Sequence, residues 1–96
     1  MYYSIKEAAA LRPYSVFLKF EDGTEGVVDL DHVVGCGGVF DPLTDIDFFS
    51  RMRLDDELHT IAWPNGADLN PERLYETVKE AAGKVAVYRF LQQGED

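Results

Sequence analysis

Tyr14-Ser15-Val16-Phe17-Leu18-Lys19-Phe20-Glu21-Asp22-Gly23-Thr24-Glu25-Gly26-Val27-Val28-Asp29-Leu30 alternates apolar and polar residues on both sides of a Glu-Asp-Gly turn. That alternation is the signature of a β-hairpin. Two registers compete. A two-residue Asp22-Gly23 turn pairs Phe20 with Glu25 and Val16 with Asp29, which mixes carboxylates into an apolar face. A three-residue loop with Gly23 in the left-handed position pairs Phe20 with Thr24, Leu18 with Gly26, Val16 with Val28 and Tyr14 with Leu30. The second register puts Val16, Leu18, Phe20, Val28 and Leu30 on one face, and a slip of one residue would turn the whole set outward. It is the preferred one, and Gly23 becomes hard to replace.

Working outward, Ser4-Ile5-Lys6-Glu7 followed by three alanines reads locally as a capped helix. Tyr3, Ile5, Ala9 and Leu11 also fit the alternation of a strand. Asp31 to Pro42, with Gly35, Gly37 and Gly38, reads mostly as loop. Asp45 then caps a short helical turn that carries Phe48 and Phe49 toward the core. Met52–Leu54 and His59–Trp63 form a second hairpin around Asp55-Asp56-Glu57, closed by Pro64-Asn65-Gly66. A helix starts at Asn70, the N-cap, with Pro71 at its first position and Leu69 and Leu74 as a hydrophobic staple. Leu74, Val78, Ala81 and Ala82 share one face, and Gly83 supplies the stop. Val85–Leu91 is apolar with high β propensity, either an edge strand or a strand that pairs with a second copy. The expected fold class is α+β: a small antiparallel sheet of two hairpins packed on one C-terminal α-helix, with a short helical turn between the hairpins. One domain is expected over residues 1–91, followed by a frayed tail over 92–96.

With 96 residues, 46% of them hydrophobic, the chain suits one core. The single cysteine, Cys36, cannot form an internal bridge, and the N-terminus does not read as a signal peptide. Its longest apolar runs fall far short of the roughly 20 residues that span a membrane. A cytoplasmic protein without membrane contact is therefore expected. Nine Lys and Arg against eighteen Asp and Glu give a formal charge of −9. Such a field repels phosphate backbones and attracts basic proteins, so no direct nucleic-acid binding is expected. Acidity that serves solubility alone is the competing explanation.

Catalytic chemistry finds no support. His32, Cys36 and His59 are too few and too scattered for a zinc site, which takes four ligands in close pairs. Cys36 has no base held by a third orienting group. Gly35-Cys36-Gly37-Gly38 lacks the lysine and hydroxyl of a phosphate loop. The chain is expected to be no enzyme and to hold no metal and no cofactor. What stands out is Trp63-Pro64-Asn65-Gly66-Ala67-Asp68-Leu69-Asn70-Pro71, which sets the only tryptophan among hydrogen-bonding side chains. It reads either as a turn that ends a strand and covers the core edge, or as a binding anchor. The candidate surface is Trp63, Asn65, Gly66, Asp68 and Tyr75, with Gly23, Asn70 and Pro71 as turn and cap residues.

Phe20-Glu21-Asp22-Gly23-Thr24, Val28-Asp29-Leu30, Val39-Phe40-Asp41-Pro42-Leu43, Phe48-Phe49 and Trp63-Pro64-Asn65-Gly66-Ala67-Asp68-Leu69 occur in the order found in domain of unknown function family 2442. Over roughly Ile5 to Tyr75 the chain resembles that family. Its most specific part is Trp-Pro-Asn-Gly-x-Asp followed by Pro-x-x-Leu-Tyr, here Pro71 to Tyr75. The resemblance implies a small, mostly bacterial α+β protein without established catalysis. Some relatives carry an added helix-turn-helix domain, and some are encoded beside a small toxin-like protein. It also implies that Ile5–Leu11 is a strand on the hairpin, against the local helix signal. The 13 residues after Gly83 are too few for a helix-turn-helix. A protein-binding accessory module follows, antitoxin-like, that engages a small basic protein. The alternatives are a small-molecule sensing domain with a cavity between helix and sheet lined by Trp63 and Tyr75, and a self-associating protein that pairs through Val85–Leu91.

Overall fold

The computed structural model describes residues 3–11 and 14–88. The hairpin forms in the expected register: β2 (Ser15–Phe20) and β3 (Glu25–Asp29) pair antiparallel with Val16 opposite Val28 and Leu18 opposite Gly26. Phe20 N–H donates to the Thr24 carbonyl at 2.7 Å and Leu30 N–H to the Tyr14 carbonyl at 2.7 Å, closing the ladder at both ends. Val16, Leu18, Phe20, Val28 and Leu30 are all fully buried. Gly23 sits at φ 91°, which side chains with a Cβ rarely adopt.

β1 (Ile5–Ala10) runs antiparallel to β2, with a bulge between Ile5 and Glu7. The capping-box signal at Ser4 therefore loses to strand pairing. β2 is the centre of the sheet, and its second row of backbone groups needs partners that β1 supplies. Ser4 instead spends its carbonyl on the N–H of Glu21, at 2.9 Å.

The stretch expected to be loop is helical in two places. α1 (Asp31–Val34) is a single turn that points Val33 and Val34 into the core, and a 3-10 helix over Gly38–Thr44 buries Leu43. The glycines hid this, although Val33, Val34 and Leu43 needed a curled backbone to reach the interior. α2 (Ile46–Phe49) starts as expected, with an Asp45 carboxylate oxygen accepting from Asp47 N–H at 2.9 Å. Phe49 is core and Phe48 only half-buried.

β4 (Arg53–Asp55) and β5 (Thr60–Ala62) make the second hairpin, which forms a separate two-stranded ladder. It touches the first sheet through Ile5 N–H, which donates to the His59 carbonyl at 3.1 Å. α3 (Pro71–Ala81) is capped by the Asn70 side chain, which accepts from Glu72 and Arg73 N–H. Leu69 and Leu74 are buried as the staple requires, while Ala82 (φ 53°) is the left-handed cap and not part of the apolar face. Val78 presses on β3 at Gly26, where an added methyl would stand 3.1 Å from a Val78 methyl. β6 (Ala86–Val87) then lies parallel to β3, so the main sheet has the order β1-β2-β3-β6 and is mixed, not antiparallel throughout. The α+β class stands. The end of Val85–Leu91 and the tail 92–96 lie outside the described residues. No helix among the described residues is long and apolar enough to cross a membrane.

Gly23→Ala should lower stability by about 1–2 kcal/mol through its backbone conformation, and Asn70→Ala by about 1 kcal/mol through the lost cap. Urea unfolding measures both. Losses below a few tenths of a kcal/mol would contradict the assignments.

Candidate functional site

Trp63 directly follows β5, and its surroundings decide what the turn after it can do. The indole is 1% exposed. Its Nε1–H donates to the Phe49 carbonyl at 2.9 Å, and its ring lies 5.8 Å from the Phe49 ring. Phe49 meets the edge of Tyr14 at 5.4 Å, and the Tyr14 hydroxyl donates to the Thr44 carbonyl at 2.6 Å. Trp63 is therefore no exposed anchor. It is a core residue whose polar edge satisfies a carbonyl at the end of α2, as a buried indole requires. With the ring spent this way, Trp63 does not line an open cavity between helix and sheet.

The turn that follows is tied to the same segment. Gly66 N–H donates to the Trp63 carbonyl at 2.9 Å, and Trp63 N–H to the Ala67 carbonyl at 2.8 Å. Asn65 Oδ1 accepts from Ala67 N–H at 3.2 Å, while its Nδ2 reaches across to the Val39 carbonyl at 2.9 Å. Asn65 and Trp63 thus hold the 3-10 helix and α2 at two points, Val39 and Phe49. Asp68 is exposed, and its backbone bridges to Ala62.

Tyr75 makes its contacts elsewhere. Its hydroxyl donates to Asp22 Oδ2 at 2.5 Å, its ring stands edge-on to Phe20 at 5.2 Å, and Lys79 Nζ lies 5.8 Å from the ring centre. The Tyr75 hydroxyl, then the Thr24 backbone N–H, hold the Asp22 carboxyl below the ordinary carboxylate range. Three of the five candidate residues therefore form two latches, Trp63 and Asn65 on the helical connector and Tyr75 on the hairpin tip, while Gly66 shapes the turn and Asp68 stays exposed. Gly23, Asn70 and Pro71 occupy the turn and cap positions described above.

What the latches display is the connector itself. Asp31, Asp41, Asp45 and Asp47 are exposed on it, beside Val39 at 49% and Ile46 at 57% exposure. From Phe20 to Ser50 the chain holds Glu21, Asp22, Glu25, Asp29, Asp31, Asp41, Asp45 and Asp47 and not one Lys or Arg. That run was legible as a charge pattern, and the total charge alone concealed it. His32 and Cys36 do not form a site: the thiol donates to the His32 carbonyl at 3.1 Å. Among the described residues, no three His, Cys, Asp or Glu side chains gather as metal ligands.

Trp63→Phe should cost about 1–3 kcal/mol in urea unfolding, because it removes the indole's buried hydrogen bond to the Phe49 carbonyl, which keeps only the Met52 N–H at 3.2 Å, and leaves part of the ring's volume unfilled. A neutral result would contradict the indole's role. Tyr75→Phe carries a pH signature. A carboxyl with a depressed folded pKa adds stability above its unfolded value and loses it as pH falls through the folded one. The stability gap between wild type and Tyr75→Phe should therefore be constant near neutral pH and close below about pH 4. A gap that widens on acidification would contradict the latch.

The fold recurs in the crystal structure of the putative DNA binding protein NE0471 from Nitrosomonas europaea, with a TM-score of 0.72 at 22% identity. The match covers 85% of this chain and 52% of that one, so this chain spans about half of its length. That protein's name runs against the expectation of no nucleic-acid contact, while the likeness at this identity concerns the fold. No curated protein matches. The family model described as "Protein of unknown function (DUF2442)" matches residues 5–80, which take in β1 to β3, the connector, the second hairpin, the Trp63 turn and nearly all of α3: the chain belongs to the DUF2442 family.

Proposed function

We propose that this chain is a non-catalytic protein-binding module, antitoxin-like in its logic, that engages a basic partner through the connector between β3 and β4. The observation that carries this is the connector's four exposed carboxylates, Asp31, Asp41, Asp45 and Asp47, in a stretch from Phe20 to Ser50 that holds no Lys or Arg. Opposite charge steers a basic protein to such a surface, and like charge turns phosphate backbones away from it. Val39 and Ile46 add apolar contact among the carboxylates, the combination of anchor and charged surround that interfaces use. The Trp63 and Asn65 hydrogen bonds hold this surface in shape before a partner arrives, which lowers the ordering cost of binding.

Pull-down from the native host with the tagged full chain tests the proposal. Wild type should retain a basic protein at low ionic strength and release it as salt rises, since exposed charge pairs are screened within about 8–10 Å at physiological salt. An Asp41→Lys, Asp47→Lys variant with wild-type circular dichroism should fail to retain it. Retention that survives both salt and the double substitution, or no retained protein at all, would overturn the proposal.

A further inference from the structure

The helices and the connector cover only one face of the main sheet. Val16, Leu18, Phe20, Val28 and Leu30 join one core cluster with Val33, Leu43, Phe49, Leu74 and Val78 on that side. On the other face the pairing register places three rows side by side. Ala9, Phe17 and Val27 form the middle row, which Val85 extends just before β6. Glu7, Lys19 and Glu25 form the row nearest the hairpin tip. Leu11, Ser15, Asp29 and Val87 form the third. No described element lies over these rows. Leu11, Val85 and Val87 are 54%, 61% and 42% exposed, and Leu11, Ser15, Val27 and Val85 line one hollow.

We infer that this face docks on the same face of a second copy of the chain, independently of any basic partner. The rows are complementary to themselves under a two-fold axis that runs along the strands midway between β2 and β3. That axis exchanges β2 with β3 and β1 with β6. It sets Lys19 of each copy opposite Glu25 of the other, and Phe17 opposite Val27. Ala9 meets Val85, Leu11 meets Val87, and Ser15 can donate to Asp29. Lys19, Glu25, Ser15 and Asp29 each meet a partner of suitable chemistry, and Ala9, Leu11, Phe17, Val27, Val85 and Val87 each meet an apolar one, while Glu7 lies at the rim. Two sheets so related stack about 10 Å apart, rotated about 30° by their twist, and make a closed dimer. This sheet face is then buried, and the connector with Asp31, Asp41, Asp45 and Asp47 stays free on the outside.

Sedimentation velocity of the full chain, from micromolar to several hundred micromolar protein, tests this. A dimer should grow with protein concentration and also with salt, because two chains of charge −9 repel and salt screens that repulsion. This salt dependence is opposite to that expected for the basic partner, so the two proposals fail separately. Phe17→Glu should weaken the dimer roughly tenfold or more. Val85→Glu, at an exposed site by the sheet edge, should do the same if Phe17→Glu impairs folding. A monomer at every concentration and salt would overturn the inference and leave the face to another segment or partner. So would a dimer that Val85→Glu leaves intact.

Discussion

The hydrogen bond from the Trp63 indole to the Phe49 carbonyl joins two parts of the chain that regular secondary structure leaves unconnected. The connector from Asp31 to Phe49 consists of short helical turns, none long enough to be stable alone. It holds its shape because Val33, Val34, Leu43 and Phe49 enter the core and because its carbonyls find donors on neighbouring elements. Tyr14 caps it at Thr44, Asn65 at Val39 and Trp63 at Phe49. Two of those three donors come from one turn, Trp63 to Gly66, and this explains a tryptophan and an asparagine at that spacing without any ligand.

The result is a molecule with two unlike sides. The main sheet separates them. On the inner side lie α3 and the connector, whose outer surface is acidic with two exposed aliphatic side chains. The other side is a sheet face over which no described element lies, with an apolar middle row and a row in which Lys19 stands between Glu7 and Glu25. Long-range repulsion therefore dominates one side and short-range apolar contact the other, so different kinds of partner suit each.

Much of the fold was legible because local signals agreed with the tertiary result. The Gly23 turn and the alternation around it set the hairpin register, and Asn70-Pro71 set the start of α3. Where local and tertiary demands conflicted, the tertiary demand won. Ala8 to Ala10 favour helix, yet β2 needed a second pairing partner. The glycines at 35, 37 and 38 suggested loop, yet Val33, Val34 and Leu43 had to be buried. The candidate site was less legible. Nothing local to Trp63 says whether the ring faces water or Phe49, because the deciding carbonyl lies 14 residues earlier. The Tyr75 latch spans 53 residues and is equally invisible to pattern.

Native-state amide hydrogen exchange on Asn65→Ala tests most directly whether the Trp63 turn exists to fix the connector. Protection at Phe40 and Asp45, whose N–H groups donate to the Gly37 and Pro42 carbonyls in the 3-10 segment that Asn65 holds at Val39, should fall toward that of a frayed segment, while Phe17 and Val28 in the central hairpin keep theirs. Unchanged protection in the 3-10 segment, or an equal loss across hairpin and connector, would contradict the account.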